Sequence, residues 1–308
     1  MARAKELAGQ VVVVTGAARG LGALMAERLA ARNARVVLLG LEPDELARVS
    51  ASCGPHSRWW EVDVTDEGAL ADVAAAVRGA YDRIDVVVAN AGIASGGPFM
   101  YSDARSFNRV IEVNLLGSAS TARAFLPALV DSKGYLLQVA SLAALAPSPM
   151  MAAYCASKAG VEAFAHSLRA EVTHHGVGVG VAYLSWTDTD MVRGADENPA
   201  LRELRGDQPL LAHRTNPAAP AADALVRGIA RRAPHVYGQR WLPPVQLFRG
   251  LLPWFTRYAG RDMPEIEAHW LATGARTDPV GAGGAADTAA RAASAAGTSS
   301  ATGRSQRS

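Results

Sequence analysis

Thr15-Gly16-Ala17-Ala18-Arg19-Gly20-Leu21-Gly22 is the stretch whose reading decides the fold. It follows Val11 to Val14, an apolar β-branched run of strand length, and leads into Leu24 to Ala31, which reads as a helix. Glycines at a strand-to-helix junction have physical consequences. Without a Cβ they permit a tight turn, let main chain approach a diphosphate, and let the helix pack closely on the strand. A helix that starts there offers free N–H groups and the positive end of its dipole to an anion. The spacing is G-x-x-x-G-x-G, a variant of the commoner G-x-G-x-x-G.

Working outward, the same alternation recurs. Arg35 to Leu39, Arg58 to Val62, Ile84 to Ala89, Tyr135 to Ala140 and Val177 to Leu184 are further short runs, separated by helical stretches. Pro220 to Arg232 reads as a helix and His235 to Gly238 as a last short strand. Continuous apolar runs, rather than strict alternation, suit strands buried on both faces. Helices between them predict parallel crossovers and a doubly wound α/β sheet. After it, Trp241 to Tyr258 is dense in aromatics and prolines, and Gly281 to Ser308 contains no Leu, Ile, Val, Met or aromatic residue. A segment of that composition is expected to be disordered, because it buries too little apolar area to offset its ordering entropy. The expected organisation is a catalytic domain at 7–240, an apolar extension at 241–272 acting as lid, interface or membrane-facing element, and a disordered tail at 273–308.

Composition narrows the function. The 308 residues carry a net charge of +2, which argues against a nucleic-acid partner. The seven histidines show no metal-ligand spacing, and His174-His175 reads as a cationic helix end, so no metal is expected. Two cysteines, Cys53 and Cys155, are too few for a disulfide framework and fit a reducing cytoplasm. No apolar run is long enough to span a bilayer, and no h-region follows Met1 to Gln10.

Lysine occurs only at Lys5, Lys133 and Lys158. Lys158 stands four residues after Tyr154 in a helical stretch, so the two project from one face. A phenol with an ordinary pKa of about 10 is a poor acid/base near neutrality, and a neighbouring ammonium favours its ionised form. Chance placement of so rare a residue is disfavoured, which makes the pair a candidate proton-transfer group.

In this order and spacing the motifs resemble those of the short-chain dehydrogenase/reductase family. The carriers are Thr15-Gly16 with Gly20 and Gly22, Asp63-Val64, Asn90-Ala91-Gly92, and Ser141 upstream of Tyr154-Cys155-Ala156-Ser157-Lys158, across roughly residues 7–240. The resemblance implies a Rossmann-type fold, a nicotinamide cofactor and hydride transfer to or from an alcohol or carbonyl carbon. It implies Tyr154 as general acid/base, Ser141 holding the substrate oxygen, Lys158 on the nicotinamide ribose, and Asn114 holding a water in the proton relay. The implied cofactor contacts are Thr15, Gly16, Arg19, Gly20, Leu21, Gly22, Asp63, Val64, Asn90, Ala91, Gly92, Tyr154, Lys158 and Thr189, with Asp63-Val64 at the adenine. A homo-oligomer is implied by the same resemblance.

Two departures stand out. Leu184-Ser185 replaces the family's Pro-Gly after the sixth strand, which changes the backbone preferences of that turn, while Thr189 keeps the threonine that resembles the nicotinamide-amide anchor. Gly40 stands where NAD-binding members tend to carry Asp, Glu42 lies two residues on, and Arg19 suits a 2′-phosphate, so NADP is favoured over NAD. Leu142, Leu145, Met150, Met151 and Met191 suggest an apolar pocket for a hydrophobic ketone or secondary alcohol. The aromatics and arginines of 241–258 fit peripheral membrane contact as well as a lid or subunit contact. Two alternatives share the fold: a dinucleotide-sensing protein without chemistry, and a lyase or epimerase that recycles its cofactor. Serine-hydrolase chemistry is disfavoured, since no G-x-S-x-G elbow surrounds Ser141.

Overall fold

The apolar runs become the strands of one parallel sheet. The computed structural model describes residues 7–197, 199–206, 210–252, 260–274 and 277–302. The strands are β1 (Val11–Thr15), β2 (Arg35–Gly40), β3 (Arg58–Glu61), β4 (Val86–Ala89), β5 (Tyr135–Val139), β6 (Gly178–Tyr183) and β7 (His235–Tyr237). They lie in the order β3-β2-β1-β4-β5-β6-β7, all parallel. The order reverses between β1 and β4, and a crevice opens outside the strand ends at such a switch point.

Alternate residues of each strand feed opposite cores, which explains the unbroken apolar runs. Val12, Val14, Val36, Leu38, Val86 and Val88 pack with Met25, Leu29, Leu46, Leu225 and Ile229 from α1 (Gly20–Ala30), α2 (Pro43–Cys53) and a late helix at Ala218–Arg231. Val11, Val13, Val37, Leu39 and Val87 pack on the other face with Leu70, Val77, Phe125, Leu129, Val161 and Leu168. Those come from α3 (Glu67–Tyr81), a helix at Gly117–Ser132 and a long one at Ala152–Val172. Numbering in chain order, α4 is Ala104–Ile111, α5 Gly117–Ser132, α6 Ala152–Val172, α7 Asp190–Asp196, α8 Pro199–Gly206 and α9 Ala218–Arg231. The strand expected at Ile84 to Ala89 is assigned from Val86; just before it Asp85 N donates to the Val11 carbonyl at 2.9 Å and the Asp85 carboxylate accepts from Val11 N at 3.0 Å.

Beyond β7 the chain forms α10 (Leu242–Leu247), a 3-10 turn at Arg249–Leu251, α11 (Met263–Ala272) and α12 (Gly281–Thr302). Leu247, Phe248 and Leu251 are exposed, whereas Ile266 and Trp270 of α11 are buried against Met150, Ala195 and Leu201. The aromatics Trp254, Phe255 and Tyr258, singled out above, lie outside the described residues, as do 303–308. Residues 281–302 correct the expectation of a structureless tail. Alanine has the highest helix propensity, so this stretch needs little apolar burial to form a helix, and a buried ion pair at Asp287 ties it to the domain.

Candidate active site

The glycine turn is held by the neighbouring strand rather than by its own residues. Asn90 Nδ2 donates to the carbonyls of Thr15 and Gly16 at 3.0 and 3.2 Å. Thr15 Oγ1 accepts from the N–H groups of Asn90 and Ala91, both at 3.0 Å. Thr15 is thus a buried brace between β1 and β4 and does not line the cleft. Gly16 has φ +63, and a Cβ there would meet Ala91 Cα at 2.8 Å; a Cβ on Gly22 would overlap the Gly16 carbonyl. The floor at this turn is therefore bare main chain, running into the N-terminus of α1, and it fits a diphosphate.

One cleft runs from this turn along the sheet edge. Gly16, Arg19, Gly20, Leu21, Gly22, Asp63, Val64, Asn90, Ala91, Gly92, Ser141, Tyr154, Lys158 and Thr189 all line it, so the structure brings together every anticipated residue except Thr15 and Asn114. Of the anticipated apolar pocket residues, Met191 lines it. Leu145, Met150 and Met151 are buried elsewhere, and Leu142 packs at the edge of the core. The other apolar residues lining the cleft are Ile93, Val113, Val139, Leu184 and Val192.

Lys158 is 4% exposed, and its Nζ donates to the Val139 carbonyl at 2.9 Å. Burial lowers its pKa to about 8. Its Nζ lies 5.8 Å from the Tyr154 ring centre. Tyr154 has its pKa raised, above all by burial, with a hydrogen bond from Ser141 pulling the other way. One of the three ammonium N–H groups of Lys158 is thus bonded to a carbonyl, and desolvation is the largest influence on the Tyr154 phenol. Ser141 Oγ also accepts from Ala143 N at 3.2 Å and faces the Leu184 carbonyl at 3.4 Å, so the hydroxyl is held in place.

Asn114 sits in a single π-helical turn, Glu112–Leu116, between α4 and α5. Such turns are rare and mark functional sites. Its side chain is fully engaged. Oδ1 accepts from Ile93 N at 2.8 Å, and Nδ2 donates to the Ile93 carbonyl at 2.9 Å and Ser157 Oγ at 3.0 Å. The side chain therefore braces the Asn90-Ala91-Gly92 turn against α6. Any water contact at this residue would fall to its main chain.

The turn that lacks Pro-Gly is braced from β7's side. Gln239 Oε1 accepts from Ser185 N at 2.9 Å and Gln239 Nε2 donates to Thr187 Oγ1 at 3.4 Å. Thr187 Oγ1 in turn donates to the Ser185 carbonyl at 2.8 Å. At the other end of the cleft, Arg19 Nε donates to Glu42 Oε2 at 2.9 Å, and Asp190 Oδ2 lies 3.7 Å from Arg19 Nη1. Sequence reasoning missed Gly283, Ala286 and Asp287, which also line the cleft. The available signal was chemical: Asp287 is the only acid between Pro279 and Ser308.

A doubly wound sheet with a glycine-floored cleft at its switch point, ending at a buried Lys158 with half-buried Tyr154 and Ser141, defines a dinucleotide-dependent oxidoreductase of the short-chain type. The comparisons agree. The family model for short chain dehydrogenases matches residues 10–200. The 3-oxoacyl-acyl-carrier-protein reductase FabG of Escherichia coli K12 is 30% identical over 191 residues, covering 62% of this chain and 78% of that protein. A metagenomic short-chain oxidoreductase solved with NADP is 36% identical over 58% of this chain and 83% of its own, with a TM-score of 0.56. A short-chain dehydrogenase/reductase from Burkholderia phymatum solved with NAD is 25% identical over 81% of this chain and 96% of its own, with a TM-score of 0.70. The chain belongs to the short-chain dehydrogenase family and is an NAD(P)-dependent oxidoreductase.

Proposed function

We propose that this protein interconverts a hydrophobic secondary alcohol and its ketone, with Tyr154 as the general acid/base. The observation that carries the reading is the convergence of Tyr154, Ser141 and Lys158 in the same cleft as the glycine turn, beside an apolar wall of Ile93, Leu184, Met191 and Val192. The nicotinamide supplies the hydride when bound. In the reducing direction the Tyr154 hydroxyl gives its proton to the carbonyl oxygen, and Ser141 holds that oxygen by a hydrogen bond. A buried phenol with a raised pKa is suited to keeping its proton until the oxygen needs it. Lys158, once the ribose replaces the Val139 carbonyl as its partner, holds the ribose hydroxyls and steadies the tyrosinate that forms. Gly16, Arg19, Gly20, Leu21 and Gly22 take the diphosphate, Asp63 and Val64 the adenine, Asn90, Ala91 and Gly92 the edge beside the ring, and Thr189 the carboxamide. Apolar walls raise the strength of each of these polar contacts by excluding water.

For the cofactor the proposal is NADP, through Arg19. Glu42 is the counterweight, because Arg19 must exchange its carboxylate for a 2′-phosphate. A homo-oligomer belongs to the same proposal, with the exposed Phe99, Met100 and Leu116 supplying apolar surface for it. The test is turnover on a panel of apolar ketones, followed by cofactor absorbance, in wild type and Tyr154→Phe. Net cofactor oxidation that disappears in the variant supports the reading. Conversion of substrate without net cofactor change favours the lyase or epimerase alternative. Dinucleotide binding with no turnover on any substrate favours the sensing alternative.

A further inference from the structure

Arg109 is a buried cation with an unexpected partner. It lies on α4 at 5% exposure, and it meets Asp287 of α12, itself 3% exposed, 178 residues away. Arg109 Nε donates to both Asp287 carboxylate oxygens at 3.0 and 3.1 Å. Nη2 of the same guanidinium also donates to Asp63 Oδ2 at 2.7 Å, while Nη1 reaches Thr65 Oγ1 at 3.1 Å and Glu112 Oε2 at 3.4 Å. Asp63 Oδ1 is fixed separately, by Thr65 N at 2.9 Å and Thr65 Oγ1 at 2.8 Å. A bidentate carboxylate sets the plane of a guanidinium, so Asp287 decides where Nη2 points, and Nη2 holds Asp63.

The placement of α12 has further supports of its own. Val280 N donates to the Ala94 carbonyl at 2.8 Å, just past the Asn90-Ala91-Gly92 turn. Gly281 has φ +74, and a Cβ on it would meet the Asp190 carbonyl at 2.5 Å; a Cβ on Gly194 of α7 would collide with Gly281. The two helices thus cross backbone against backbone, which only glycines allow. From that crossing, α12 presents Gly283, Ala286 and Asp287 to the same cleft that Asp63 and Val64 line.

We infer that α12 is the second wall of the dinucleotide cleft, and that Asp287, acting through Arg109, is a positioning residue that holds Asp63 against the adenine. This rests on the proposed role of Asp63 and Val64 as the adenine contacts. The Asp287–Arg109–Asp63 chain ends at the adenine contacts, so loss of Asp287 falls on the adenylate half, whereas the α12 crossing also touches Asp190 beside Thr189.

The test uses the full chain as wild type, Asp287→Asn and Gly281→Val. The second variant puts a side chain into the helix crossing while keeping both members of the ion pair in the sequence. Equilibrium titrations are made with the dinucleotide, with adenosine monophosphate and with nicotinamide mononucleotide. Asp287→Asn is expected to weaken the dinucleotide and adenosine monophosphate about tenfold and to leave nicotinamide mononucleotide within about twofold, whereas Gly281→Val, which meets Asp190 beside Thr189, weakens all three. In wild type, amide exchange across 283–290 is expected to slow when adenosine monophosphate is added. The inference is overturned if Asp287→Asn binds adenosine monophosphate as wild type does, if it loses both half-cofactors equally, or if Gly281→Val leaves dinucleotide binding unchanged. A wild-type chain that binds no dinucleotide at all overturns the cofactor reading itself, which keeps the two failures apart.

Discussion

The two sides of the cleft are built on different principles. The sheet-edge side is made of strand ends and the glycine turn. There Asn90 and Thr15 tie β1 to β4 through backbone groups, and the residues that touch the ligand are close neighbours of the strands that hold them. The α12 side is a helix of small residues with little apolar surface. It is held by one backbone bond at Val280, a glycine crossing and the Asp287–Arg109 pair. The first side inherits the stability of a doubly buried sheet. The second rests on contacts between residues far apart in sequence. On the proposed reading the contrast separates tasks: the Tyr154 chemistry falls on the sheet-edge side, and α12 shares in holding the cofactor.

That contrast can be broken or sharpened by experiment. The largest effect is expected at Tyr154→Phe, which removes the proton donor from the sheet-edge side. Turnover should fall by about 10²–10⁴-fold, with dinucleotide affinity changed no more than a few-fold, read by steady-state kinetics beside a binding titration. Gly16→Val comes next. It forces a side chain into a left-handed backbone position against Ala91, at a cost on the order of 1–3 kcal/mol, so dinucleotide affinity should drop by up to about 10²-fold. If Gly281→Val costs as much as Gly16→Val, the two sides are not different in kind. A smaller effect concerns pH. Burial lowers Lys158 to about 8, so its ammonium is present below that pH and lost above it. Cofactor affinity and turnover should therefore decline above about pH 8, and Lys158→Arg, which stays charged, should remove that decline from the binding profile. The smallest is Glu42→Gln. Freed from its partner, Arg19 should favour NADP over NAD by several-fold, about what a partly exposed ion pair is worth, read as the ratio of the two dissociation constants.

The sheet was legible because its signals are local. Val11 to Val14 and the runs after it are apolar on both faces, and the two cores consume alternate residues of each. The candidate site was legible for the same reason: Tyr154 and Lys158 share a helix face, and Gly16, Gly20 and Gly22 share a turn. What escaped depends on partners distant in sequence. The side chains of Thr15 and Asn114, implied as a cofactor contact and as the holder of a relay water, bond to Ala91, Ile93 and Ser157, which spacing does not reveal. Asp287 stands in an alanine-rich segment, and nothing near it in sequence points to its partner Arg109 on α4. Apolar content underestimated that tail, since helix propensity and one buried ion pair order residues with almost no hydrophobic surface.

The most direct measurement is a crystal structure of the full chain with bound dinucleotide. The account predicts the nicotinamide ribose on Lys158, the ring within reach of Tyr154 and Ser141, and the adenine between Asp63 and α12, with Arg109 still bridging Asp63 and Asp287. A dinucleotide bound with its nicotinamide away from Tyr154, or only after α12 has left the cleft, would contradict it.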